Sequence, residues 1–215
     1  MGLDIHVMRP KRFFQRDFVL PVQQLLPDLP IRTIGATPVS AADAELLENQ
    51  LIKQLRLGQL DQETHRYVLP ATDDHPFAER FSYDQFDLLR EFAAFLDYPV
   101  KQYFLWGARA FGDGYDLNDL PSLKTAWRRQ RATYPHLVFH EDTRGFYFPT
   151  KISMPVKTEF GYIGSTSSLR DELTTLSAKA TKALRHREMV LGAIALLLNA
   201  ANASEQSKLP IVFDG

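Results

Sequence analysis

Imidazole and carboxylate side chains occur together in two short segments of the chain. The two groups are His136, His140, Glu141 and Asp142 near the centre, and Asp73, Asp74 and His75 earlier in the chain. Side chains of these types hold divalent metals or act as general acids and bases. We therefore take His140, Glu141, His75 and Asp73 as the candidate catalytic residues.

The spacing of these residues matches no established metal-ligand pattern. No HExxH motif is present, and on a strand His136 and His140 would lie about 13 Å apart, too far to share one ion. The sequence therefore predicts no metal and favours a polar strand end that faces solvent. An active site requires that the loop at 73–75 meets the segment at 140–142.

A second candidate is a run of glycine and hydroxyl residues that leads from a predicted strand into a predicted helix. The run consists of Gly164, Ser165, Thr166, Ser167 and Ser168. Amide donors and the positive end of the helix dipole at such a turn suit a phosphate or carboxylate. Simple capping explains the same residues, with Ser168 and Asp171 as a capping box. No P-loop lysine, Rossmann glycine spacing or nucleophile elbow supports a more specific reading.

One predicted helix, from 121 to about 134, carries a basic flank. Lys124, Arg128 and Arg131 lie side by side on a helical wheel. The flank is either a nucleic-acid patch or a solvated helix face. We favour the solvated face, because no aromatic stacking platform accompanies the three cations.

The region 136–172 is predicted to be the structural centre, with a strand, a tight turn at 142–145, two further strands and the start of a long helical region. Leu3, Ile5 and Val7 alternate with polar residues and predict a first strand inside a sheet. Ser40 is expected to cap one helix, and Ser82 is expected to form a capping box with Gln85 at the start of another. Further predictions are a helix at 22–26, strands at 31–34, 66–69 and 209–213, and a break near 186 between two C-terminal helices, the second apolar. Periodicity does not assign the apolar run at 100–106 to strand or helix, and of the two we favour a helix.

Composition limits the class of protein. The chain has 215 residues, a formal charge of -1 and no cysteine, so disulfides, thiolate nucleophiles and cysteine-bound zinc are excluded. Balanced charge provides no global field for nucleic acid or anionic membranes. The start of the chain does not resemble a signal peptide, and its longest apolar run is too short to span a bilayer. We expect a cytoplasmic, single-domain α+β protein over 1–215, with a mixed or antiparallel sheet packed against several helices and an apolar C-terminal helix in the core.

Three stretches of the chain resemble a known group of sequences. They are the opening MGLDIHV, the run GFYFP with the later IGSTSSLRDEL, and the close ALLLNAANASEQSKLPIVFDG. In these stretches the chain resembles uncharacterised bacterial and phage-associated proteins that begin MGLD and share a GFYxP...IGSS..LL.EL core. The resemblance implies a bacterial or phage context but carries no activity or catalytic residues.

No catalytic motif stands out, so we expect a non-enzymatic binding or accessory protein. The alternative is a hydrolase or transferase acting on a phosphate-bearing ligand, with anion capture at 165–168 and acid/base work by His140 and Glu141. Because both alternatives remain, the sequence leaves open whether the chain is an enzyme. We expect no cofactor, and a protein or small molecule as partner rather than nucleic acid or a membrane. The oligomeric state stays open.

Overall fold

A computed structural model of the chain describes residues 2–18, 37–57, 66–99, 120–140, 144–180 and 187–215. These residues form a six-stranded sheet with the strand order β2-β1-β6-β3-β5-β4. The strands are β1 Gly2–Val7, β2 Phe77–Ser82, β3 Gly145–Phe148, β4 Val156–Thr158, β5 Gly161–Ser165 and β6 Ile211–Asp214. Strands β3 and β5 run parallel, and the other neighbouring pairs are antiparallel, so the sheet is mixed.

Helices lie on both faces of this sheet. Within the described residues they are α1 Pro10–Gln15, α2 Ala41–Leu57, α3 Tyr83–Asp97, α4 Pro121–Arg129, α5 Pro135–Val138, α6 Thr166–Lys179 and α7 Arg187–Ser207.

The larger core lies between one face of the sheet and helices α3 to α7. Leu3, Ile5 and Val7 of β1 point into it, together with Tyr147 and Phe213 from the strands beyond. Helix α7 packs along α6, α3 and β1 and buries its apolar side chains there. The expected α+β class, with a mixed sheet and an apolar C-terminal helix in the core, is confirmed.

A smaller core covers the opposite face. Phe146 and Phe148 of β3 point to this side and pack against Phe13 of α1 and against Leu51 and Leu55 of α2. Successive residues of a strand point to opposite faces. Strand β3 therefore contributes to both cores, and all four of its residues are buried.

Short-range signals predicted several elements correctly. Strand β1 lies inside the sheet between β2 and β6, and Ser40 accepts a hydrogen bond from the Asp43 amide at the start of α2. Ser82 and Gln85 form the expected capping box of α3. The C-terminal region contains two helices, α6 and α7, and ends in strand β6.

The strand predicted at 136–140 is wrong, because this segment begins as the short helix α5. Pro135 stands at the first helical position, where its fixed φ favours a helix. Apolar and histidine residues alternate here, which imitates a strand with one buried face. Tertiary packing overrides that pattern, since His136 and His140 are buried instead of facing solvent.

The strand predicted at 66–69 is also wrong. Residues 67–69 have no regular structure, and the next strand along the chain is β2. Strand β2 has no clear apolar alternation, because Glu79 and Arg80 stand side by side in its middle. Both are exposed, as the position of β2 at the edge of the sheet allows. Some predictions fall outside the described residues. They are the elements at 22–26, 31–34 and 100–106, the exact position of the break between the two C-terminal helices near 186, and part of the turn at 142–145.

Candidate functional site

His140 is enclosed by aromatic rings in the larger core. Those rings belong to Phe86, Tyr147, Tyr162 and Phe213. Burial, with a smaller contribution from Arg90, lowers the pKa of His140 to about 3. The nearby backbone of Arg144 raises this pKa slightly. Neither ring nitrogen of His140 has a hydrogen-bond partner among the described residues. A neutral, enclosed imidazole of this kind fills space in the core, and acid or base catalysis by His140 stays a prediction.

His136 belongs to a polar anchor between α5 and α6. Its Nδ1 lies 2.8 Å from Glu172 Oε1, and the same carboxylate accepts hydrogen bonds from the amides of His136 and Leu137. These contacts satisfy the free amides at the start of α5. Tyr147 donates its hydroxyl to the His136 carbonyl at 2.6 Å. The His136 imidazole therefore links α5 to α6, and the His136 carbonyl links α5 to strand β3.

The carbonyl end of α5 is satisfied by side chains from two other helices. Arg90 of α3 donates to the carbonyls of Leu137 and Val138, at 3.2 and 3.5 Å. Trp127 of α4 donates its indole N–H to the Val138 carbonyl at 2.8 Å. The buried guanidinium of Arg90 thus satisfies carbonyl groups at the end of a short helix.

The loop at 73–75 docks on the opposite face of the sheet. His75 Nε2 lies 3.0 Å from Nδ1 of His6, which is buried on β1. Burial, followed by the neighbouring His75, lowers the pKa of His6 to about 3, and burial also lowers the pKa of His75. The Asp73 carboxylate pairs with Lys11 at 3.2 Å. The loop is thereby tied to β1 and α1.

The structure does not bring His75 and His140 together. His75 packs on the face covered by α1 and α2, and His140 packs on the face covered by α3 to α7. Glu141 and Asp142 lie outside the described residues. Within the part of the chain that the structure describes, no three histidine or acidic side chains form a group that could hold a metal ion.

Each residue of the predicted anion turn has a structural partner. Ser165, not Ser168, caps α6, by accepting a hydrogen bond from the Ser168 amide at 3.1 Å. Thr166 donates to the Tyr147 carbonyl, and Ser167 bonds Ser165. The Ser168 hydroxyl donates to the Ile152 carbonyl at 3.3 Å.

Gly164 gives room to a neighbouring ring. A Cβ atom at this position would lie 2.5 Å from the Tyr147 ring, which is fully buried. Close packing against Tyr147 is therefore sufficient to explain why a glycine occurs here, without a bound anion.

A groove of about 300 Å³ opens beside the start of α6. It is lined by Pro149, Thr150, Lys151, Ser167, Ser168, Asp171, Glu205 and Lys208. Its two lysines are balanced by two carboxylates, those of Asp171 and Glu205, and both of these also pair with Arg170. Such mixed charge gives an anion no net attraction, and anion binding at 164–168 stays a prediction.

The basic flank of α4 is exposed, as the sequence suggested. Lys124, Arg128 and Arg131 are all exposed, although the helix ends at Arg129 and not near 134. Gln130 ends it in the left-handed conformation, with φ at 50°. The flank is consistent with a solvated helix face.

Acidic residues are concentrated in one segment of the chain. Residues 61–119 contain 12 Asp and Glu but 5 Lys and Arg, whereas the rest of the chain contains 14 acidic and 20 basic residues. The total charge of -1 conceals this asymmetry because the two parts nearly cancel. Charge counted segment by segment, and not over the whole chain, is the signal that reveals it.

The described part of this segment places four exposed carboxylates along the outer strand β2. We call this surface the acidic edge; it consists of Asp73, Asp74, Glu79 and Asp84. Strand β2 itself extends about 20 Å, at about 3.3 Å per residue. Asp73 is paired with Lys11. No described residue forms a salt bridge or side-chain hydrogen bond with the carboxylates of Asp74, Glu79 or Asp84, so the edge keeps a negative charge.

Comparison with known proteins supplies a family for this chain. Residues 35–213, which include the whole acid-rich segment, match the family model described as "Putative DNA-mimic protein". The chain belongs to this family. No curated protein and no solved structure matches the chain.

Membership of the DNA-mimic family corrects the expectation about partners. From the sequence we expected either a protein or a small molecule as partner, whereas a DNA mimic implies a partner that is a DNA-binding protein. The family also indicates a non-enzymatic binding protein, as expected, and nothing in it points to a hydrolase or transferase. The resemblance to phage-associated proteins and the cytoplasmic location stay predictions. Among the helices that the structure describes, none has the length and apolar character needed to cross a membrane.

Proposed function

We propose that this protein binds a DNA-binding protein and occupies the surface on which that partner otherwise holds DNA. The contact is made by the acidic edge, which lies within the acid-rich segment 61–119. The observation that carries the proposal is the match to the DNA-mimic family over residues 35–213. The proposal names a class of partner and leaves the individual partner to experiment.

The charge distribution supports this proposal. A protein that binds DNA presents lysine and arginine to the phosphates, so its binding surface attracts any surface of clustered carboxylates. A chain with a net charge of -1 has no strong overall field, and attraction must come from a local patch. Among the described residues, the exposed carboxylates of the acidic edge form such a patch.

Unpaired carboxylates support the proposal further. Elsewhere in the described chain, acidic side chains such as Asp4, Glu48 and Asp214 form salt bridges with arginine. Asp74 and Glu79 on the acidic edge have no such partner among the residues that the structure describes. A surface whose charges lack internal partners retains its attraction for an external cation, and salt weakens that attraction.

Displacement of DNA tests the proposal directly. A labelled 20-base-pair duplex is bound to each of a panel of purified DNA-binding proteins, and its fluorescence anisotropy is followed as this protein is added. We expect the duplex to be released from at least one member of the panel at 50 mM salt, where the electrostatic attraction is strong. The proposal is overturned if no member of the panel releases the duplex at 50 mM salt.

A pair of triple variants shows whether the acidic edge is responsible. The first, D74N/E79Q/D84N, removes three charges from the edge and is expected to raise the displacement midpoint at least tenfold. The matched control, D17N/E45Q/E188Q, removes three exposed charges outside the acid-rich segment and leaves the total charge equal. Equal losses in the two variants would show a general charge effect and contradict a role of the edge.

A further inference from the structure

Strand β2 forms one edge of the sheet and pairs along its whole length on one side. All six of its residues are in register with β1, from Gly2 opposite Ser82 to Val7 opposite Phe77. On its other side, no described residue pairs with it. An edge strand of this kind presents a row of backbone N–H and C=O groups to any strand that approaches it.

The charges along β2 select which strand can approach. Glu79 is exposed in the middle of the strand, and Asp74 and Asp84 flank its two ends. Arg80, the one cation on β2, is engaged by both carboxylate oxygens of Asp4 at 2.7 and 2.9 Å. An added strand with lysine or arginine side chains therefore meets carboxylates, and an acidic one is repelled.

The other edge of the sheet has the opposite properties. Strand β4 has three residues, Val156–Thr158, and carries the exposed Lys157, with the exposed Lys151 close before it in sequence. A short edge offers few backbone groups, and its lysines repel a basic segment. Of the two edges, β2 is the longer and the one that matches a basic partner in charge.

We infer that β2 binds an extended basic segment of the partner as an additional strand of the sheet. The inference rests on the proposed function, which makes the partner a DNA-binding protein and hence basic at its contact surface. Main-chain hydrogen bonds to the open side of β2 hold the segment, as in other cases of strand addition. Asp74, Glu79 and Asp84 set the preference for lysine and arginine side chains.

A short peptide probes this docking without an identified partner. The probe is a ten-residue peptide of alternating lysine and threonine, blocked at both ends. Its control alternates L-lysine with D-threonine, so that it keeps the five charges but cannot form a regular strand beside β2. We expect the control to bind at least tenfold more weakly, and we expect D74N/E79Q/D84N to weaken binding of the probe several-fold. Equal affinity of the two peptides would overturn strand addition.

Hydrogen exchange locates the contact and separates the two proposals. Bound probe is expected to slow amide exchange at Phe77–Ser82 at least tenfold. If the protein displaces duplex DNA from a DNA-binding protein while exchange in β2 is unchanged, strand addition is wrong and the proposed function stands. If the probe protects β2 but no DNA is displaced from any panel member, strand addition stands and the proposed function is wrong.

Discussion

The helical side of the sheet and its β2 edge use carboxylates in opposite ways. Glu91 on α3 is 2% exposed and accepts hydrogen bonds from the amides of Ser122 and Leu123 at the start of α4. Glu79, twelve residues earlier, is exposed and has no partner among the described residues. The first carboxylate replaces water for two buried amides, and the second keeps its charge available to another molecule. Burial and pairing, not residue type, therefore separate charges that hold the fold from charges that can bind a partner.

Acidification should have the largest effect on stability, because burial disfavours the charged form of two histidines in the core. His6 and His140 have a pKa lowered to about 3 in the folded protein, against about 6.5 when unfolded. Between these values the unfolded chain binds more protons, so stability is lost as the pH falls below about 6.5. We expect the free energy of unfolding to fall by about 4 kcal/mol between pH 7 and pH 5, from roughly 2 kcal/mol for each histidine.

Urea unfolding at several pH values measures this effect. The variant His140→Phe keeps an aromatic ring but cannot titrate, and it should lose about half of the pH dependence. An unchanged slope in this variant would mean that His140 is not held neutral in the core.

Removal of the Glu91 side chain should have the next largest effect. Glu91→Ala leaves two buried amides of α4 without an acceptor, which should lower the free energy of unfolding by about 3 kcal/mol. Glu91→Gln keeps one acceptor oxygen and should lose less. Urea unfolding of both variants measures this difference, and equal losses would contradict the capping role.

A methyl group at Gly164 distinguishes packing from ligand capture. Gly164→Ala places a Cβ atom against the buried Tyr147 ring and should destabilise the protein by about 2 kcal/mol. Gly192→Ala is the matched control, because its Cβ atom meets nothing within 4 Å and it lies in an exposed position of α7. The control should stabilise the protein by up to about 1 kcal/mol. Thermal unfolding of both variants measures the changes, and a neutral Gly164→Ala would remove the packing explanation.

Neutralisation of the acidic edge should have the smallest effect on stability. The triple variant D74N/E79Q/D84N removes exposed side chains without partners, so its free energy of unfolding should change by less than about 1 kcal/mol. Asp84 lies in the first turn of α3, where an acidic residue contributes a few tenths of a kcal/mol. A larger loss in urea unfolding would show that these carboxylates support the fold and would weaken their assignment to binding.

The sequence alone determined the elements whose signals are local. The alternation in β1, the cap at Ser40 and the box formed by Ser82 and Gln85 each lie within a few residues, and all three appear in the structure. The acidic excess in 61–119 is equally a property of the sequence, visible once charge is counted by segment. Together these features define the α+β class and the acid-rich part of the chain.

Only the tertiary structure decided which distant residues meet. His75 and His140 lie on opposite faces of the sheet, because strand order and not sequence distance sets their separation. Helix α5 forms where a strand was predicted, since Glu172 and Arg90 arrive from other helices to satisfy its two ends. Strand β2 lies at an edge of the sheet because, among the described strands, only β1 pairs with it. Pairing and burial depend on residues far apart in the chain, and no local pattern contains that information.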